Sequence, residues 1–330
     1  MGRTKRIHFF WFFLIIGVYG FSTPVLTIYT SDSFASGAAR YVADSFEQEW
    51  GCTVRFLSFG GSGSMLARAI LEKEAPRADL LLGIDQFQLQ RAIIEGIIQP
   101  FVSSNIDSIE RKELLDPQGY GTPMDYGALA LLYDANELEE PPTSFKALLQ
   151  PKLRRSIIIQ DPRTSSTGLS FLMWTIAIFG EDWEAFWEQL QPNILTVVPG
   201  WSESFMLFES GEAPIMVSYA TDGAYSQYHY QSLRYQPIIP SEGAFVQIEY
   251  AVRTTRKENR VLAEAFLDYI LTEPFQKHIP LHQWMYPVIS VELPEVYVYA
   301  PHVDHIVSFD TPFFQDRQSI WIQRWAQIMR

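Results

Sequence analysis

Two short stretches concentrate the residues best suited to holding a small ligand. Gly60-Gly61-Ser62-Gly63-Ser64 falls between a predicted strand and a predicted helix. Glycines let a backbone approach a ligand closely, and the first N–H groups of a helix point outward toward an anion. Ser62 and Ser64 add hydroxyl donors. No Lys follows, so the stretch is not a P-loop, and it does not match the dinucleotide fingerprint. The plainer reading is a tight strand-to-helix turn with Ser64 as N-cap. Asp161-Pro162-Arg163-Thr164-Ser165-Ser166-Thr167-Gly168 has the same character. It ends a predicted strand, bunches four hydroxyls beside Arg163 and opens an apolar helix, which is more than one cap needs.

A second set is aromatic. Gly200-Trp201-Ser202-Glu203 and Ser218-Tyr219-Ala220-Thr221-Asp222 each close a predicted strand, and Tyr225 and Trp284-Met285-Tyr286-Pro287 follow. A single aromatic belongs more often to a core than to a ligand platform. Several at strand ends suit a stacking site for a flat or cationic ring. A metal centre is poorly supported. His278 and His282 have i,i+4 spacing, but Pro280 between them is expected to break the helix that would align them. His302 and His305 lie in a loop-like stretch, and His229 lies among tyrosines. Nucleophilic catalysis is no better served. There is no G-x-S-x-G, and the single cysteine, Cys52, starts a predicted strand, where a buried structural thiol is expected.

These residues need a scaffold, and the sequence supplies an alternating one. Residues 26–30, 54–58 and 80–82 read as strands, with helices between them carrying Val42, Phe46 and Trp50 on one face and Leu66, Ala69 and Ile70 on another. This β-α-β-α-β order implies a parallel sheet covered by helices. The rhythm returns with strands at 157–159, 195–198 and 215–218 and helices at about 168–179, 182–190 and 202–210. Gly180 and Gly211 sit where helix ends favour a left-handed residue. Extended stretches at about 124–133 and 244–252 are long enough to run from one sheet to the next, and a last helix at about 315–329 places Trp321 and Trp325 on one face. The fold class expected is α/β: two lobes, two crossover strands and a ligand cleft where strand C-termini and helix N-termini meet.

Composition narrows the class. The 330 residues are 47% hydrophobic and 19% charged, which excludes disorder, and the length suggests two domains. A net charge of −13 argues against a nucleic-acid binder. One cysteine excludes an intrachain disulfide and a multi-cysteine metal site. Residues 1–22 read as a signal peptide. Arg3, Lys5 and Arg6 precede an apolar run, and Gly20 and Ser22 suit the −3 and −1 positions of a cleavage site, with an uncleaved anchor as the alternative. The expected destination is a periplasm-like space. Domain boundaries follow: 1–22 signal peptide, 23–125 plus 250–310 one lobe, 126–249 plus 311–330 the other.

From about Pro24 to the C-terminus the chain resembles the thiamine-binding periplasmic proteins, solute receptors of ABC importers within the larger group that includes ferric-ion-binding proteins. The likeness rests on Leu26-Thr27-Ile28-Tyr29-Thr30 with Asp32-Ser33-Phe34, on Gly83-Ile84-Asp85, on Asp125-Tyr126-Gly127, on the run from Gln160 to Ser165, on Gly200 to Glu203, and on Trp284 to Val288. The resemblance implies a two-lobed, two-crossover (type II) periplasmic-binding-protein fold. It implies ligand contacts at Gly61, Ser62, Ser165, Ser166, Trp201, Tyr219, Ala220, Thr221, Asp222, Tyr225 and Trp284. Gly61 and Ser62 stand where relatives can carry Asp-Gly, and Ser31 where they can have Tyr. The ligand expected is thiamine or its phosphates, pyrophosphate favoured, with an inner-membrane ABC permease as partner. A monomer is expected, without a cofactor, metal or enzymatic activity. Receptors for another small anion or ferric ion, and a thiaminase-like enzyme on the same fold, are the alternatives.

Overall fold

The computed structural model describes residues 23–303, 305–307 and 317–330. The expected signal peptide lies outside the described residues. The first strands are β1 (Val25–Thr30), β2 (Thr53–Ser58) and β3 (Leu80–Asp85), and they run parallel in the order β2-β1-β3. Their connections are α1 (Asp32–Ser36), α2 (Ala39–Trp50) and α3 (Ser62–Leu71), and α4 (Gln86–Ile94) follows. Helix α2 shows why the pattern works. Val42 and Phe46 are fully buried, and Gly51 at φ +59° ends the helix by donating its N–H to the Glu47 carbonyl at 2.9 Å. Trp50, expected on the same buried face, is 41% exposed: it is the last helical residue and stacks on Phe46 at 5.8 Å from outside.

The second half repeats the plan with β6 (Ile157–Gln160), α5 (Ser166–Phe179), α6 (Trp183–Leu190), β7 (Ile194–Val198), α7 (Trp201–Glu209), β8 (Ile215–Tyr219) and α8 (Asp222–Tyr230). Helix α5 is buried continuously from Ser166 to Ile176, and Trp174 inside it donates its indole N–H to the Gly243 carbonyl at 3.0 Å. The helix Gln318–Ile328 packs on α6, with Trp325 edge-on to Trp187 at 5.7 Å. Both tryptophans are almost fully buried.

Two long strands join the halves. β5 (Gly121–Asp134) pairs through residues 121–128 with β10 (Val246–Thr254), and through residues 129–133 with β8. β10 also pairs with β3, so one order, β2-β1-β3-β10-β5-β8-β6-β7, runs through the molecule. Short strands β4 (Ile98–Gln99), β9 (Tyr235–Ile238) and β11 (Tyr286–Pro287) add to β10 or β5. Helices α4, α8 and α9 (Arg260–Ile270) go beyond what the sequence reading assigned, as do the short α10 (Glu273–Gln276) and α11 (Ile279–His282).

Candidate functional site

Strands β6, β7 and β8 are each followed by a helix, and the N-termini of α5, α7 and α8 converge on one cavity of about 410 Å3. The facing wall comes from the first half: Ser31–Ser33 at the start of α1, Arg40 on α2, and Gly60–Ser62 entering α3. Glu249 of β10 lines it as well, and residues 281–285 complete it.

Gly61, Ser62, Ser165, Ser166, Trp201, Tyr219, Asp222, Tyr225 and Trp284 all line this cavity. The Trp201 ring is fixed twice: it stacks on Phe205 at 5.0 Å and 14°, and its indole N–H donates to the Ser218 hydroxyl at 2.8 Å. Trp284 stands at φ +59°, a conformation that non-glycine residues adopt only where their surroundings impose it. The Thr221 hydroxyl donates to its carbonyl at 2.5 Å, and its ring meets Tyr225 edge-on at 5.1 Å and His229 at 5.4 Å. Tyr219 shares a hydroxyl–hydroxyl bond of 3.0 Å with Thr167, and its backbone N–H donates to Asp222 Oδ2 at 3.1 Å. Burial pushes the Asp222 carboxyl up to about 6 against the opposing pull of Ser218 and the Tyr219 N–H. Burial also lifts the Tyr225 phenol to about 12, with Glu209 adding to the effect.

The structure corrects several expectations. Ala220 is buried among Ala128, Ala130 and Ala244 and does not line the cavity. Thr221 is also absent from the wall: it acts on Trp284 from behind. In the glycine–serine stretch, Gly61 is the N-cap of α3, so the helix begins two residues before Ser64. The N–H groups of Gly63 and Ser64 do not face a ligand. They donate to the Thr164 carbonyl in the second half at 3.0 and 3.3 Å. The chains pass so close that a Cβ on Gly61 would sit 2.3 Å from the Thr164 oxygen, and one on Gly63 would sit 2.7 Å from the Arg163 oxygen. Ser62 is buried and accepts from Gln88 Nε2 at 3.1 Å. Arg163 is turned back onto Asp161, to which its Nε donates at 2.9 and 3.0 Å, and does not line the cavity. Pro280 does not separate His278 from His282: it occupies the first turn of α11, where its missing N–H is not needed, and both rings stack on Tyr41, at 5.7 and 3.6 Å. Cys52 is buried just before β2, away from the cavity, and burial raises its thiol.

Sequence reasoning missed Arg40, Glu249 and Gln283 on the cavity wall, and weighed His282, which also lines it, only as a metal ligand. For Glu249 a signal existed. In the strand from Val246 to Thr254, Gln247 and Glu249 are polar at a spacing of two, which marks a face turned to something other than a core. Glu249 stands beside Asp85 and Asp125 in the paired register. Burial, then the Asp85 charge, pushes the Glu249 carboxyl up to about 8. Burial, then Glu249, raises Asp125 well above the carboxylate range, and burial takes Asp85 to about 7.

Comparison with known proteins gives the context. The family described as "Bacterial extracellular solute-binding protein" matches residues 75–310. A thiamine-binding periplasmic protein of Brucella melitensis is 35% identical over 308 residues, 91% of this chain and 90% of that one. A solved periplasmic thiamin binding protein superposes with a TM-score of 0.87 at 32% identity, covering 93% and 97% of the two chains. The periplasmic binding protein AfuA of Actinobacillus pleuropneumoniae, solved with fructose-6-phosphate, shares the fold at a TM-score of 0.81 and 22% identity, covering 93% and 99%. Helix N-termini and aromatic rings gathered over two crossover strands, with matches of this extent, place the chain among the bacterial extracellular solute-binding proteins, a periplasmic and non-catalytic family in which its relatives include thiamine-binding periplasmic proteins.

Proposed function

We propose that this protein captures thiamine or a thiamine phosphate in the periplasm and delivers it to an ABC permease in the inner membrane. The observation that carries the reading is the aromatic frame. Trp201, Tyr219, Tyr225 and Trp284 line one cavity that also holds the Glu249 carboxyl, a chemistry suited to a flat, positively charged heteroaromatic ring. The thiamine-binding names of the relatives support the choice of ligand. The lobes are read as 23–125 plus 250–310 and 126–249 plus 311–330, hinged at β5 and β10, and the protein acts as a monomer. Binding closes the lobes by hinge motion.

A phosphorylated ligand is expected to bind at least as tightly as free thiamine. Ser165 and Ser166 open α5 into the cavity, and Ser31, Ser33 and Arg40 face them from the other wall. These hydroxyls and the guanidinium suit phosphate oxygens, and the helix N-terminus adds to them. Calorimetric titration with thiamine, its monophosphate and its pyrophosphate tests both levels. A preference of about tenfold for free thiamine, roughly 1.4 kcal/mol, removes the phosphate reading. Failure of all three to bind removes thiamine.

A further inference from the structure

Three carboxyl groups stand abreast on the three central strands. In the register, Glu249 of β10 lies opposite Asp85 of β3 on one side and Asp125 of β5 on the other. Directly opposed residues in antiparallel strands bring their Cβ atoms to within about 5.5 Å on one face of the sheet. Glu249 alone of the three lines the cavity; Asp85 and Asp125 are fully buried behind it. Both Asp125 oxygens and Asp85 Oδ2 are buried without a hydrogen-bond partner, while Asp85 Oδ1 caps α4.

The surroundings of Glu249 pull in opposite directions. Gln247 Nε2 donates to its Oε1 at 3.1 Å, and Gln283 Nε2 reaches its Oε2 at 3.5 Å, both favouring the carboxylate. Asp85, Asp125 and the Tyr219 phenol lie around it on β3, β5 and β8; burial, then the Asp85 charge, favours the acid, and Glu249 in turn raises Asp125 and Tyr219. Helix α4 contributes neutral Gln86 and Gln88 to this region. The basic residues on the cavity wall, among the described residues, are Arg40, His229 and His282.

We propose that Glu249 is the residue that selects a cationic ligand, and that it does so by surrendering a proton to solvent as the cation enters. The exchange balances: the carboxylic acid and the incoming cation become a carboxylate–cation pair plus one released proton. A neutral ring of the same shape would have to bind beside an uncharged Glu249 and gain nothing from it. The two glutamine amides hold the carboxylate in place once it forms, and burial beside Asp85 keeps it protonated until then. Asp85 is thus a positioning residue that acts through Glu249.

This inference rests on the thiamine reading, and calorimetry separates the two. Thiamine is titrated at pH 7 in buffers of different ionisation enthalpy, which reports protons released per ligand bound. The wild-type protein is expected to release most of a proton, with affinity rising by up to about tenfold from pH 6 to pH 7 as the acid is titrated. Glu249→Gln, nearly isosteric, is expected to abolish the release and to weaken thiamine by about tenfold or more. It should leave unchanged the affinity for a neutral isostere with a thiophene in place of the thiazolium. Asp85→Asn should reduce the release and strengthen thiamine at pH 7, because Glu249 loses the neighbour that opposes its ionisation. Binding without proton release, or equal thiamine affinity in Glu249→Gln, overturns the inference alone. A wild-type protein that binds no thiamine overturns the proposed function with it.

Discussion

Replacing Gly63 with alanine should separate closure from folding. Gly63 lies inside α3, where alanine is favoured over glycine by about 0.8–1.0 kcal/mol, so the helix itself should gain. The added Cβ would stand 2.7 Å from the Arg163 carbonyl oxygen and 2.8 Å from two backbone atoms of Thr164. These are backbone atoms, so no side-chain rotation relieves the clash. The first half must withdraw from the 163–164 loop, which breaks the two bonds from Gly63 and Ser64 to the Thr164 carbonyl. Hydrogen bonds of this kind contribute about 0.5–1.5 kcal/mol each, so the closed form should lose about 1–3 kcal/mol. Apparent affinity scales with the closed fraction, so thiamine binding should weaken by about 5- to 150-fold. Calorimetry gives the affinity, and small-angle scattering should show the radius of gyration falling only at correspondingly higher ligand concentration. The unfolding midpoint without ligand should stay the same or rise. Wild-type affinity in a well-folded Gly63→Ala protein would refute the argument, and a lower unliganded midpoint would place the damage in folding.

Trp201→Ala should weaken thiamine by about 1–3 kcal/mol, the range for a ring losing an aromatic platform, and should abolish part of the ligand-induced change in tryptophan emission; an unchanged dissociation constant would take Trp201 out of the site. Trp325→Ala, which removes an almost fully buried ring from the seam with α6, should cost about 3–5 kcal/mol in urea unfolding while leaving ligand affinity intact. Stability should also rise as the medium turns mildly acidic. Folded Asp222, Asp85 and Glu249 hold protons up to about 6, 7 and 8, whereas the unfolded chain releases them near 4. The native state therefore binds more protons across that window, and stability falls as pH rises from about 5 to 8. Thermal midpoints at pH 5.5 and pH 8 check the direction, and a higher midpoint at pH 8 would contradict it.

The parallel strands and their helices were legible because each carries its own period. Leu26 and Ile28 alternate into a core, and Val42 and Phe46 recur on one helix face, before any tertiary contact is considered. The crossovers were legible for the same reason, since a run as long and apolar as Gly121–Asp134 has few other uses. The cavity was legible where chemistry and strand ends coincide, as at Ser165 and Trp201. It failed where a residue's meaning depends on a distant partner. Nothing near Gly61 announces that Thr164 will take the N–H groups of Gly63 and Ser64, and nothing near Thr221 announces a bond to the Trp284 carbonyl. Pro280 misled in the opposite way, because a proline at a helix start aligns what one in the interior would break.

The place of β10 also bears on when the protein can fold. It sits between β3 and β5, yet it begins at Val246, long after both neighbours have been synthesised. Until it arrives, the inner edge of β3 and the first half of β5 have no strand to join them. Bringing such remote segments together is an entropically slow step. The central sheet of this design cannot be completed until about three-quarters of the chain exists, and a chain without it is closer to the open form that can be threaded through a narrow membrane channel. For a protein whose workplace is the periplasm, late insertion of the central strand is a delay built into the topology that favours transit before compaction.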